Sequence, residues 1–233
     1  MLDVVTTSFY IKSDLFGKDS FEQLALALFD EWDGQVAKNL QLTDYSLTLV
    51  IEEGSIKGSG KIAASAAVLY IAIGNYGDFI AALATIKSQV EYVTSALFQQ
   101  AKSRFNCETS LGNTKRSGGE IFYLERLFHR VRLGALSPDQ AMQEIRARWG
   151  EEAASSPDFM RDLAKSLEDS PHYPEQLSLS DDSWESCTDV EESPESPRPR
   201  LPREPEFPIP QHFRVEISRL SKGEQKKIRL TRV

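Results

Sequence analysis

Lys61 stands behind two closely spaced glycines, Gly58 and Gly60, in the segment GSIKGSGKI at 54–62. Glycine amides that approach a ligand closely, followed by a lysine, are the parts from which phosphate-cradling loops are made. A nucleotide-hydrolysing loop of that kind also needs a glycine five residues before the Gly-Lys pair and a Ser or Thr after the lysine to hold magnesium. Ser55 and Ile62 occupy those two places. The segment is therefore read as a glycine-rich turn leading from a strand into a buried helix. Gly58, Gly60 and Lys61 remain a weak anion-site candidate at the helix N-terminus.

The other reactive side chains are scattered. His129 falls on a predicted helix, whereas His172 and His212 lie beside prolines, and Cys107 and Cys187 are eighty residues apart in polar stretches. That spacing suits neither a disulfide framework nor a metal site, and it assembles no nucleophile with its base. Glu52 and Glu53 are adjacent on a strand end and point to opposite sides, unlike carboxylates that share a substrate. No cofactor or metal is expected, and no catalytic residue is assigned.

Short-range patterns define the elements that would position these groups. VVTTSFYI at 4–11 reads as a strand; Ser20 with Gln23 makes a capping box for a helix over Phe21–Asn39; YSLTLVI at 45–51 reads as a second strand closed by the EEGS turn. The expected opening is a β-α-β unit with adjacent parallel strands. From Asn106 to Gly119 a polar loop is expected. EIFYLERLFHRVRLG then gives a helical stripe ending at Gly134, with Arg126, Arg130 and Arg132 outside as candidates for meeting phosphate or an acidic partner. Ser137-Pro138-Asp139-Gln140 and Ser156-Pro157-Asp158 open two further helices.

Between Lys61 and Lys87 the chain is almost wholly apolar, with Asp78 its only charge, and so is long enough to span a bilayer as one helix. Gly74, Asn75 and Gly77 break it in the middle. A helical hairpin follows, its first half (Ile62 to Ile73) buried all round. Its second half carries a seam of Phe79, Leu83, Ile86, Val90, Val93 and Leu97 at alternating four- and three-residue steps. Such a seam is a candidate partner surface.

The formal charge of −8 opposes general nucleic-acid binding, yet it is unevenly spread. Ten acids stand between Glu168 and Glu195 without one Lys or Arg, a Pro-rich stretch follows, and residues 213–233 are basic. The first two are expected to be disordered, and the basic end to form a β-hairpin. No basic n-region precedes an apolar core in MLDVVTTSFYIKSD, so no secretory signal is expected.

The expected molecule is thus α+β, with a globular part over 1–168, a linker over 169–212 and a basic segment over 213–233. Its expected role is that of a non-enzymatic, cytoplasmic interaction or regulatory protein that binds a protein partner or itself. Nucleic acid would be met only through 213–233. The alternative is a membrane-associated effector that inserts the Gly-broken hairpin Ile62–Ile86 into a bilayer.

Overall fold

The computed structural model describes residues 1–11, 18–53, 56–75, 79–106, 112–170 and 213–232. Its elements are β1 (Leu2–Ile11), α1 (Lys18–Asn39), β2 (Ser46–Glu52), β3 (Ile56–Ala64), α2 (Ala66–Gly74), α3 (Phe79–Arg104) and β4 (Gly112–Gly118). The chain continues as α4 (Glu120–Arg132), α5 (Pro138–Trp149), α6 (Glu151–Ser155), α7 (Pro157–Glu168), β5 (Phe213–Arg219) and β6 (Lys227–Arg232). The class is α+β: the strands form one antiparallel sheet in the order β4-β1-β3-β2-β5-β6.

The β-α-β opening takes a different form from the expected one. β1 and β2 both pair antiparallel with β3, so they run parallel to each other with β3 between them, and α1 crosses over that intervening strand. The reason lies in the glycine-rich segment. Lys57, Ser59 and Lys61 alternate with Ile56, Gly58, Gly60 and Ile62, a two-residue period that continues the hairpin from β2. The expected turn is therefore a central strand, and the helix expected over Ile62–Ile73 begins only at Ala66. Ser65 caps it, its Oγ accepting from the Val68 amide at 3.3 Å.

Gly58 and Gly60 earn their places on the helix-facing side. A Cβ on Gly58 would lie 2.0 Å from the Phe9 ring, and one on Gly60 would lie 2.6 Å from Leu97 and 2.8 Å from Trp32. The missing side chains let these large groups pack directly on the strand backbone. Trp32 is fully buried and its Nε1 donates to the Val93 carbonyl at 3.1 Å, which ties α1 to α3 above the sheet.

The buried alternates of β1, β2, β3 and β5 point to one helical layer, in which α1 faces β2 and β5 while α3 and α4 face β1. Two helix starts differ from expectation. Ser20 lies inside α1 rather than at its cap, and Ser156 makes no side-chain cap bond. Ser137 and Gln140 do close a reciprocal capping box, with Pro138 at the first helical position. Gly134 and Gly150 end α4 and α5 with positive φ, a conformation glycine adopts without a Cβ penalty.

α2 and α3 do not form an antiparallel hairpin; the chain bends by 108° between them. No single helix among the described residues is long and apolar enough to cross a membrane. The polar stretch expected as a loop over 106–119 contains the edge strand β4, which pairs with β1 from Gly112 to Gly118. The basic C-terminal segment forms the hairpin β5–β6, and β5 pairs with β2 from Leu47 to Glu52. Val215 and Ile217 are fully buried in the same core. The acidic and Pro-rich linker lies outside the described residues over 171–212.

Candidate functional site

An open cleft of about 610 Å³ lies between the first turns of α3 and the length of α4. Leu83 and Phe128 are buried at its base, Ile80, Ala84 and Phe122 form its walls, and Arg126, His129 and Arg132 stand at its edge. The amphipathic pattern of α4 sets this up. Ile121, Leu124, Leu127, Phe128 and Val131 turn to the core, so the positions between them carry the basic groups to the rim. At one end Lys87 Nζ reaches Glu125 at 2.9 Å and lies 5.7 Å from the Phe122 ring centroid, which closes the cleft with a charge pair.

The floor is held from behind by aromatic packing. Phe79 stacks at 5.6 Å from Phe128 and 5.9 Å from Phe159, which in turn meets Trp149 at 5.3 Å and Tyr70 at 5.4 Å. Tyr70 donates to Asp162 at 2.5 Å, and that hydrogen bond raises its pKa above the usual phenol value. Glu120, almost fully buried at the start of α4, accepts from Trp149 Nε1 at 2.7 Å and from Arg148 at 2.8 Å. A buried carboxylate needs such donors, and here they lock α4 to the end of α5. Arg148 also stacks on Tyr123 with 4.4 Å to the ring centroid.

Of the residues marked in the sequence, the structure groups some and disperses others. Leu83, Ile86, Val90, Val93 and Leu97 are buried inside the chain's own core, and Phe79 is half-buried in the aromatic cluster. The seam therefore serves internal packing rather than presenting an outer surface. Arg126 and Arg132 share the cleft rim, whereas Arg130 turns to Glu144 at 3.2 Å. Gly58 and Gly60 cannot form an amide cradle, because β3 is paired on both sides and precedes no helix at that point. Lys61 is exposed on the opposite face of the sheet, 3.5 Å from Asp3.

Cys107, His172, Cys187 and His212 lie outside the described residues. Among the described residues no cluster of three His, Cys, Asp or Glu side chains is placed to hold a metal ion. Sequence reasoning missed Ile80, Ala84 and Phe122 as cleft walls. Their signal was present, since they are the apolar residues of α3 and α4 that fall just off each helix's buried stripe. It also missed the open sheet face, where Ser8, Tyr10, Lys57, Ser59, Lys115 and Arg214 line a shallow depression of about 600 Å³. Alternation along β1 and β3 separates Ser8, Tyr10, Lys57 and Ser59 from the buried set. Protein-family profiles, characterised proteins and solved structures yield no match to this chain.

Proposed function

We propose that this protein is a non-enzymatic interaction protein that holds an amphipathic, acid-flanked helix of a protein partner in the α3–α4 cleft. The observation that carries the reading is the pairing of an apolar floor at Leu83 and Phe128 with a rim of Arg126, His129 and Arg132. Concave apolar surfaces with a few polar groups at fixed positions are the usual form of a binding site. The walls run for about 10–15 Å along each helix, at ~1.5 Å per residue, which suits two to three turns of a guest helix. Arg126 carries no ion pair among the described residues, so an acidic residue on the guest would find a cation already waiting.

Insertion of the α2–α3 segment into a bilayer is disfavoured by burial. Leu69, Ile73, Leu83, Ile86 and Val90 would have to leave a packed core to face lipid, forfeiting the contacts they make there. Ile71 is the one large hydrophobic side chain of α2 that is exposed, at 50%.

The test is fluorescence anisotropy with two labelled helical peptides of equal apolar content, one flanked by Glu and one by Lys. The Glu-flanked peptide is expected to bind about tenfold more tightly, a difference of ~1.4 kcal/mol. Ala84→Trp, which fills the cleft from an exposed wall position, should abolish binding, and Arg126→Glu should remove the preference. Binding of neither peptide, or binding indifferent to Ala84→Trp, defeats the reading. Sedimentation of the protein alone identifies the case in which the guest is a second copy.

A further inference from the structure

The geometry points to the face of the six-stranded sheet that no described helix covers as a binding surface for single-stranded RNA, separate from the α3–α4 cleft. The described helices pack on the other face, and pairing register brings together here cations from four strands that are far apart in sequence. Lys115 comes from β4, Lys57 and Lys61 from β3, Arg214 from β5, and Lys227 and Arg229 from β6. Lys57, Lys115 and Arg214 line one depression; Lys61 lies four residues beyond Lys57 on the same face of β3, and Arg229 and Lys227 stand opposite Glu216 and Ser218 of β5. In a sheet, residues two apart on one strand and directly opposite on the next share a face.

The carboxylates on this face are fewer and mostly engaged. Asp3 lies 3.5 Å from Lys61, Glu52 lies 3.5 Å from Arg214, and Glu216 faces Arg229 in the ladder. Lys57 and Lys115 pair with no carboxylate among the described residues, and both are exposed. An acidic protein thus carries a cationic sheet face, and its net negative charge resides between Glu168 and Glu206, where twelve acids stand with three arginines. A linear polyanion is the complementary ligand.

The groups between the cations favour RNA over an acidic peptide. Tyr10 is 41% exposed and sits in register between Asn113 of β4 and Lys57 of β3. An aromatic ring on an open sheet, flanked by cations, offers stacking to a base and charge to the neighbouring phosphates. Ser8 and Ser59, opposite each other in the ladder, present hydroxyls that can bond a ribose 2′-OH. At about 4.8 Å between neighbours, six strands span roughly 24 Å, enough for a few nucleotides.

Anisotropy of labelled U12 RNA with the full chain at a series of salt concentrations tests this, with dT12 DNA and polyglutamate as competitors. U12 is expected to bind with a negative salt slope and to be displaced least well by polyglutamate. Lys57→Gln/Lys115→Gln should weaken binding and reduce the slope by about 1.4, at ~0.7 per lost phosphate contact. Tyr10→Ala should weaken it about tenfold without changing the slope, as loss of one stacked base would. Arg126→Glu, in the cleft, should leave RNA binding unchanged, and its failure to do so would overturn the separation of the two sites. The proposal is also overturned by absence of U12 binding, by dT12 or polyglutamate competing equally, or by lysine variants that fold as the parent does and bind as it does.

Discussion

Arg219, close to the C-terminal end, grips Asp33 in the middle of α1 with two parallel hydrogen bonds, Nη1 to Oδ2 at 2.6 Å and Nη2 to Oδ1 at 2.5 Å. Tyr45 at the entry to β2 donates its hydroxyl to the same carboxylate at 2.8 Å, and the guanidinium lies 5.4 Å from the Tyr45 ring centroid. Three segments meet at one carboxylate. Its side chain is 20% exposed and that of Arg219 only 11%, so the pair is largely withdrawn from solvent. Asp30 with Lys226, and Asp44 with Ser221 and the Lys222 amide, repeat the attachment on either side.

Removing one partner of such a pair leaves the other charge buried without its counter-ion, which costs about 3 kcal/mol or more. Asp33→Ala and Arg219→Ala are each expected to lower stability by that order in urea denaturation. The double variant should lose clearly less than the sum of the two, because the groups act on each other. Additive losses would show that the pair contributes little.

A chain ending before Phe213 is expected to lose its cooperative thermal transition and to associate. β2 would become an edge with its ladder unpaired, and the core would lose Val215 and Ile217, both fully buried. Size-exclusion chromatography and a thermal melt on the shortened chain measure this. A monomeric product melting like the parent would mean that the hairpin is dispensable to the fold.

Gly58→Ala is expected to destabilise by about 1–3 kcal/mol, since its methyl would occupy the space of the Phe9 ring. Phe9→Leu in the same chain should recover part of the loss. The readout is the denaturation midpoint of the single and double variants, and an unaltered midpoint in Gly58→Ala would contradict the packing described.

Two groups at the attachment set opposite limits of pH. Burial, then the hydrogen bond to Asp33, pushes the Tyr45 phenol up to about 12. Its neutral form is favoured in the folded state, so this contribution is complete below pH 10 and is lost as pH rises from 10 towards 12. The Lys222 amide, followed by Ser221 and the Tyr45 amide, holds the Asp44 carboxyl below its ordinary 3.8. That contribution is complete above 3.8 and is lost as pH falls through the lower folded value. Thermal melts across both ranges should show both losses. Tyr45→Phe should remove most of the alkaline one, and Asp44→Asn most of the acid one.

The parts of this protein that were legible in its sequence are those governed by short-range physics. The seam from Phe79 to Leu97 marks α3 because four- and three-residue spacing makes one helical face. Ser137, Pro138 and Gln140 mark the start of α5 because a cap is complete within four residues, and the alternation in 213–232 marks a hairpin. What each pattern packs against is a non-local matter. The period of IKGSGKI is that of a strand, yet its glycines read as a turn until Phe9, Trp32 and Leu97 are seen filling their places. GNTKRSG has little strand propensity of its own and pairs because β1 offers an open ladder. Only tertiary structure, by choosing strand neighbours, buried the α3 seam, left Leu83 and Phe128 at the floor of a cleft, and set Lys57, Lys115 and Arg214 on one face. Strand order is decided by contacts between residues tens to hundreds of positions apart, and no local period records them.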